Sequence, residues 1–301
     1  MILCNKPVKK ILYIMCRFFT ILIVFVSLHA RAQKGYFIKS KDQTPIYIEE
    51  KGAGKPVVLL SGGPGLNPNY VYPIHENLST QVRSIILHQR GTGKTVMPTI
   101  DSLSLSLDKY VEDLEALRMH LGVKKLILIG QSWGGMLSME YCSRYPEKVE
   151  KLILVGSGSP SMNFANYFSD NINGRLLPED LQEKPGLKRI WPGYFFDRSA
   201  AMNSKAKTDF STINGQPGIN KIMVSDYAAK EEKRLLNLKK YKGQAFIIQG
   251  YQDPVGFAAY EIKTHIPQAS LLFVKQSGHF PWLEKEGAQK QFFDYLSTAL
   301  K

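Results

Sequence analysis

Hydrophobic and polar positions divide this chain into short continuous apolar runs separated by stretches of helical spacing. Val57–Leu60, Ser84–Leu87, Leu126–Ile129, Lys151–Val155, Ala245–Gln249 and Ser270–Val274 are dense apolar runs with little polar alternation. That is the pattern of strands buried on both faces. Between them, Tyr70–Leu78, Leu107–Leu121, the stretch after Gly135 and Ala288–Leu300 carry apolar residues at helical spacing, as at Val111, Leu114, Leu117 and Leu121. Tyr36–Ile38 and Ile46–Ile48 alternate around a Lys-Asp-Gln-Thr-Pro turn and predict an antiparallel hairpin at the start. Alternating buried strands and helices predict an α/β protein with a mostly parallel eight-stranded sheet flanked by helices.

Two segments depart from that alternation. Residues 159–243 are rich in Asn, Ser, Lys and Pro, show helical patches near Arg198–Lys207 and Ser225–Lys239, and contain no run that reads as a strand. This stretch is too long for a loop and predicts an inserted helical cap between two halves of a core, 33–158 and 244–301. At the other end, Lys6, Lys9 and Lys10 precede an apolar stretch from Ile11 to Leu28 and an Ala30-Arg31-Ala32 site. Residues 1–32 therefore read as a cleaved signal peptide with Gln33 as the new terminus, an uncleaved membrane anchor being the alternative, which predicts export by the Sec route to the periplasm or medium and only transient membrane contact.

Composition adds limits. The chain has 301 residues, 44% hydrophobic and 22% charged, which is ordinary globular material. Its net charge is +13, but Lys6, Lys9, Lys10, Arg17 and Arg31 fall in the first segment with no acid among them. No run of Lys or Arg interleaves with aromatics in the rest, so the excess reads as a solvated basic surface and nucleic acid is not an expected partner. Without the first segment only Cys142 is left, which excludes an intramolecular disulfide and reads as a packing residue. No His, Cys, Asp or Glu cluster has metal-ligand spacing, and no metal or cofactor is expected.

The candidate chemistry begins where the Leu126–Ile129 run ends, in Gly130-Gln131-Ser132-Trp133-Gly134. A G-x-S-x-G turn between a buried strand and a helix is the setting of a nucleophile elbow, in which Ser132 is presented at the carboxyl edge of the sheet. Glycine at 130 and 134 removes side chains that would collide in so sharp a turn. A serine nucleophile needs a base, and the base needs an acid to orient it. His279 follows the last predicted strand and Asp253 the one before it, so both fall at carboxyl ends of parallel strands, in the order Ser, Asp, His. Two backbone amides are required for the oxyanion; Trp133 supplies one, and Gly63 in Ser61-Gly62-Gly63-Pro64-Gly65 is assigned the other. Gly91-Thr92-Gly93-Lys94-Thr95 is not a phosphate loop, because His88 stands where the motif needs glycine.

With Gly62-Gly63-Pro64-Gly65, Gln89-Arg90-Gly91-Thr92-Gly93, the Gly130–Gly135 turn, Gly278-His279 and Pro281-Trp282, the chain resembles the α/β-hydrolase superfamily, and within it the proline iminopeptidase-like serine hydrolases. The resemblance covers the chain outside 159–243. It implies the α/β-hydrolase fold, cofactor-free hydrolysis through an acyl-enzyme, and release of amino-terminal residues from short peptides. In that family acidic cap residues bind the substrate's ammonium; Glu231 and Glu232 are the candidates here, with Glu179, Asp180, Glu183, Asp226 and Tyr227 also unplaced. Ser61 and His88 stand where the family usually has His and Asp. A carboxylesterase or lactonase on the same residues is the alternative, with Trp191, Tyr194, Phe195 and Phe196 lining an apolar pocket. A non-catalytic protein that kept the fold is the third reading.

Overall fold

The computed structural model describes residues 33–301; the segment read as a signal peptide lies outside them. No helix among the described residues is long and apolar enough to cross a membrane.

Eight strands form one sheet. They are β1 (Lys34–Lys39), β2 (Pro45–Lys51), β3 (Pro56–Leu60), β4 (Arg83–Leu87), β5 (Leu126–Gln131), β6 (Val149–Val155), β7 (Gln244–Gly250) and β8 (Ser270–Val274), in the order β1-β2-β4-β3-β5-β6-β7-β8. β1 pairs antiparallel with β2 and β2 antiparallel with β4; all further pairs are parallel. The dense apolar runs have the expected cause. In β3, Val58 and Leu60 enter the core on one face while Val57 and Leu59 enter the core on the other. β6 repeats this, with Leu152 and Leu154 opposed to Ile153 and Val155.

Helices cover both faces. α1 (Tyr72–Leu78) comes first and α2 (Leu107–His120) and α3 (Trp133–Arg144) follow. Leu114, Leu117, Leu137 and the buried Cys142 pack on one side of the sheet, and Ile74 and Leu78 on the other. Ser106 caps α2 by accepting from the Lys109 amide. Arg90, in the loop just after β4, is fully buried and donates to both Asp113 oxygens on α2 and both Asp42 oxygens in the β1–β2 turn, at 2.7–2.9 Å. A guanidinium so placed is tolerable only because every face of it meets a carboxylate.

Between β6 and β7 the chain forms α4 (Ala165–Asn173), α5 (Leu187–Ile190), α6 (Arg198–Lys207), α7 (Ile219–Ala229) and α8 (Glu231–Leu238). α6 has the bounds expected from sequence, with Asp197 capping it through the Ala200 amide. The patch read as continuous over Ser225–Lys239 is two helices, because Lys230 leaves helical geometry at φ −106°, ψ 11°. α4 has no counterpart among the expected helices: its first residue follows Phe164, which offers no side-chain cap. The Leu66–Asn214 bridge is the one sheet-like contact made by this segment among the described residues. α9 (Ala258–His265) and α10 (Glu286–Leu300) complete the fold.

Parallel register aligns strand ends. Leu60 pairs with Gly130, Gln131 with Val155, and Gly250 with Val274. The loops leaving β3, β5, β6, β7 and β8 thus share one edge, where a doubly covered sheet leaves its crevice.

Candidate active site

Ser132 links β5 to α3 with φ 54° and ψ −117°, an uncommon conformation for a residue with a side chain. The turn is as tight as the sequence predicts. A Cβ at Gly130 would lie 2.3 Å from the Gly134 carbonyl oxygen, and one at Gly134 2.2 Å from that of Leu60. Ser132 N–H donates to Val155 O at 3.0 Å, and the Gly135 and Met136 amides donate back to Ser132 O at 3.0 and 3.3 Å. The serine is therefore fixed between the neighbouring strand and the first turn of its own helix.

His279 and Asp253 meet after β8 and β7. The buried ring places Nδ1 3.1 and 3.0 Å from the two Asp253 oxygens. Asp253 is also held by Gln249 Nε2, which donates to Oδ2 at 2.6 Å, and by the Val255 amide, which donates to Oδ1 at 2.9 Å. His279 N–H donates to Tyr194 O at 2.7 Å. The preceding amide, Gly278, donates to Glu284 at 2.9 Å, and the Phe196 and Asp197 amides reach the same carboxylate at 2.7 and 3.2 Å. Burial pushes the Glu284 carboxyl up, and those three amides work against it. The His279 loop and the chain around Tyr194 are thus one hydrogen-bonded unit.

Ser132 and His279 line the same cavity, yet no hydrogen bond joins them among the described residues. His279 Nε2 instead lies 3.2 Å from Gln131 Nε2.

Both residues assigned to the oxyanion also line the cavity. Neither the Gly63 nor the Trp133 amide donates to an acceptor among the described residues. Gly63 has φ 125°, and a Cβ there would lie 2.5 Å from Gly65 N, so the loop requires glycine. Trp133 Nε1 donates to Gln89 Oε1 at 3.0 Å, and Gln89 Nε2 donates to Ser61 O at 2.8 Å. Gln89 therefore couples the elbow to the glycine loop, a role its place in Gln-Arg-Gly does not disclose.

The cavity has a volume of about 620 Å³ and is walled largely by Met136, Met162, Phe164, Phe168, Leu187 and Ile190. No Asp, Glu, Lys or Arg among the described residues lines it; its polar lining includes Gln131, Asn214, Asn220 and Tyr194.

The acidic candidates for substrate binding lie off this wall. Glu232 is exposed, and Glu231 accepts from the Met162 amide at 2.8 Å without reaching the wall itself. Asp180 pairs with Arg198, Glu183 with Lys188, and Asp226 with Lys230. Tyr227 is buried beside Trp133 and donates to Ser159 O at 3.1 Å. Of the aromatics expected to line a pocket, only Tyr194 lines this cavity. Trp191 and Phe195 are buried against Phe280, and Phe196 faces a separate groove. Of the wall residues that sequence reasoning misses, Phe168 lies on α4, Leu187 and Ile190 on α5, and Met162 and Phe164 in the chain just before α4. Gln131, also missed, stands inside the serine motif itself.

The sequence matches the alpha/beta hydrolase fold family over residues 55–286. It is 34% identical over 144 residues to a proline iminopeptidase of Lactobacillus helveticus (strain DPC 4571), 47% of this chain; the chain spans about half the length of that relative, 48%. It is 36% identical over 216 residues to a proline iminopeptidase of Clostridioides difficile (strain 630), 69% of this chain and 67% of that one. Among solved structures, an esterase from Exiguobacterium antarcticum superposes with a TM-score of 0.66 at 22% identity, covering 89% of this chain and 100% of its own.

Proposed function

The chain belongs to the alpha/beta hydrolase fold family, and on that premise we propose that it is a serine hydrolase of small, uncharged, apolar carboxylic esters. The observation that carries this reading is the cavity beside Ser132 and His279, whose wall offers apolar surface and no carboxylate for an ammonium. An acyl group gains roughly 25 cal/mol per Å² it buries there, whereas a charged amine entering unpaired loses its hydration without return.

In this proposal Ser132 Oγ attacks the ester carbonyl and its proton passes to His279 Nε2. Asp253 holds the ring through Nδ1, and the Gly63 and Trp133 amides take the oxyanion. The proton moves on to the leaving alcohol, and water, deprotonated by the same ring, releases the acid. The helical segment between β6 and β7 is the cap that closes the cavity. No cofactor enters the scheme.

A second reading, an aminopeptidase of the proline iminopeptidase kind, is supported by the relatives at 34 and 36% identity. Its amine partner would be Glu231, which touches the wall only through the Met162 amide. Initial rates on 4-nitrophenyl esters from acetate to octanoate, set against proline 4-nitroanilide, separate the two, with Ser132→Ala as blank. Faster turnover of the anilide than of every ester overturns the ester reading. We also propose export by the Sec route, supported by the pattern of residues 1–32; recovery of an uncleaved protein from cytosol alone would exclude it.

A further inference from the structure

Gln131 lies inside the serine turn and has no part in the scheme above. It is fully buried, and it lines the cavity. Its amide orientation follows from its neighbours. Gly62 N–H donates to Tyr70 Oη at 2.5 Å, which leaves the Tyr70 hydroxyl proton for Gln131 Oε1 at 2.6 Å. Burial pushes the Tyr70 phenol up, so that proton stays in place. With Oε1 as acceptor, the group 3.2 Å from His279 Nε2 is the amide NH2, a donor. Nε2 must then be the unprotonated ring nitrogen, which agrees with an Nδ1–H directed at Asp253.

We propose that Gln131 is a positioning residue: it holds His279 as the neutral ring with its Nε2 lone pair engaged, and releases it to Ser132 only when substrate enters. This rests on the serine-hydrolase reading. A protonated Nε2–H would face the amide NH2, donor against donor. To accept the serine proton, the imidazole must leave Gln131, or the amide must turn over and give up its contact with Tyr70. The same Tyr70 hydroxyl holds the Gly62 amide, so the release is coupled to the glycine loop beside the oxyanion position.

The other groups around His279 are common to every variant below. Asp253 meets Nδ1, and the Tyr194 ring centroid lies 5.0 Å away. Glu284 is held to Gly278, and Arg175, which donates to Gln252 O, lies in the field of Asp253.

The test is the pH dependence of Ser132 inactivation by a small fluorophosphonate, which needs the base but no acyl pocket. Gln131→Met keeps volume and removes the donor; Tyr70→Phe keeps the ring and frees the amide to turn. Gln131→Met removes the donor that opposes Nε2–H, and Tyr70→Phe lets the amide present Oε1 to it instead, so the acid limb of the inactivation profile moves to higher pH in both, by about 0.5–1 unit or more. A role in packing alone leaves the limb in place. An unmoved or lowered limb overturns the proposal, and Tyr70→Phe decides if Gln131→Met does not fold. Failure of the hydrolase reading looks different: the parent protein itself is not labelled.

Discussion

Asp253 meets His279 Nδ1 with both carboxylate oxygens, at 3.1 and 3.0 Å, while Gln249 and Val255 donate to the same carboxylate from the other side. Three donors on one buried acid leave the imidazole a single orientation. Asp253→Asn substitutes an NH2 for one of those acceptors, so either the Val255 amide or Gln249 loses its partner and Nδ1–H meets a donor beside its one remaining acceptor. Turnover of the best ester should fall by about 10³–10⁴-fold, with far-UV circular dichroism unchanged. Activity within tenfold of the parent would show that His279 does not depend on Asp253.

Gly63 gives the second expectation. Its φ is 125°, and a Cβ added to it would stand 2.5 Å from Gly65 N, which leaves no room for a methyl group. Gly63→Ala should turn the amide away from the oxyanion position. The loss of one such donor lowers kcat about 10²–10³-fold, and KM should change little, because the ground-state carbonyl uses the donor less than the tetrahedral state does. Steady-state kinetics on a single ester read both constants; a rise in KM at constant kcat would assign the loop to binding instead.

The edge of the sheet was legible in the sequence because buried parallel strands end where apolar runs end. Ser132, Asp253 and His279 each follow such a run, and parallel register brings the strand ends together. The wall of the cavity was not legible. Phe168 sits on α4 and Leu187 and Ile190 on α5, short helices without side-chain caps, while Met162 and Phe164 lie in the irregular chain before α4. Acids such as Glu231 and Glu232 draw attention by charge, yet a first-turn position in α8 already accounts for them through the helix dipole. Gln131 escapes notice for the opposite reason: its work depends on Tyr70, whose place beside it comes only from the fold.

Glu115 offers a pH test of stability remote from the site. Burial alone would raise its carboxyl, but Arg118, Lys148 and the Tyr141 hydroxyl outweigh burial and hold it down at about 2. A carboxyl depressed in the folded state stabilises the protein above the ordinary carboxylate range, and that stability is lost as pH falls toward about 2. Glu115→Gln should cost about 1–2 kcal/mol at pH 7, allowing for partial exposure. Urea midpoints at pH 7 and near pH 2.5 check the sign: the gap between parent and variant must narrow in acid, and a constant gap would mean that packing, not charge, is what the glutamate supplies.

Ile190 tests what the cavity selects. It lies on the wall with Leu187 and Phe168, opposite no charged side chain among the described residues. If acyl groups bury against this wall, an isoleucine-sized contact is worth roughly 1.5–3 kcal/mol, which is about a 10- to 150-fold change in kcat/KM. Ile190→Asp should therefore lose that much on a hexanoate ester, through KM, because the carboxylate must be desolvated by the chain that displaces its water. An acetate ester, too short to use the wall, should be affected least. Ile190→Ala should lose less and move the preferred acyl length upward, since the space it opens is apolar. Equal losses on acetate and hexanoate would mean that the substitution disturbs Ser132 and His279 themselves and that the wall does not choose the substrate.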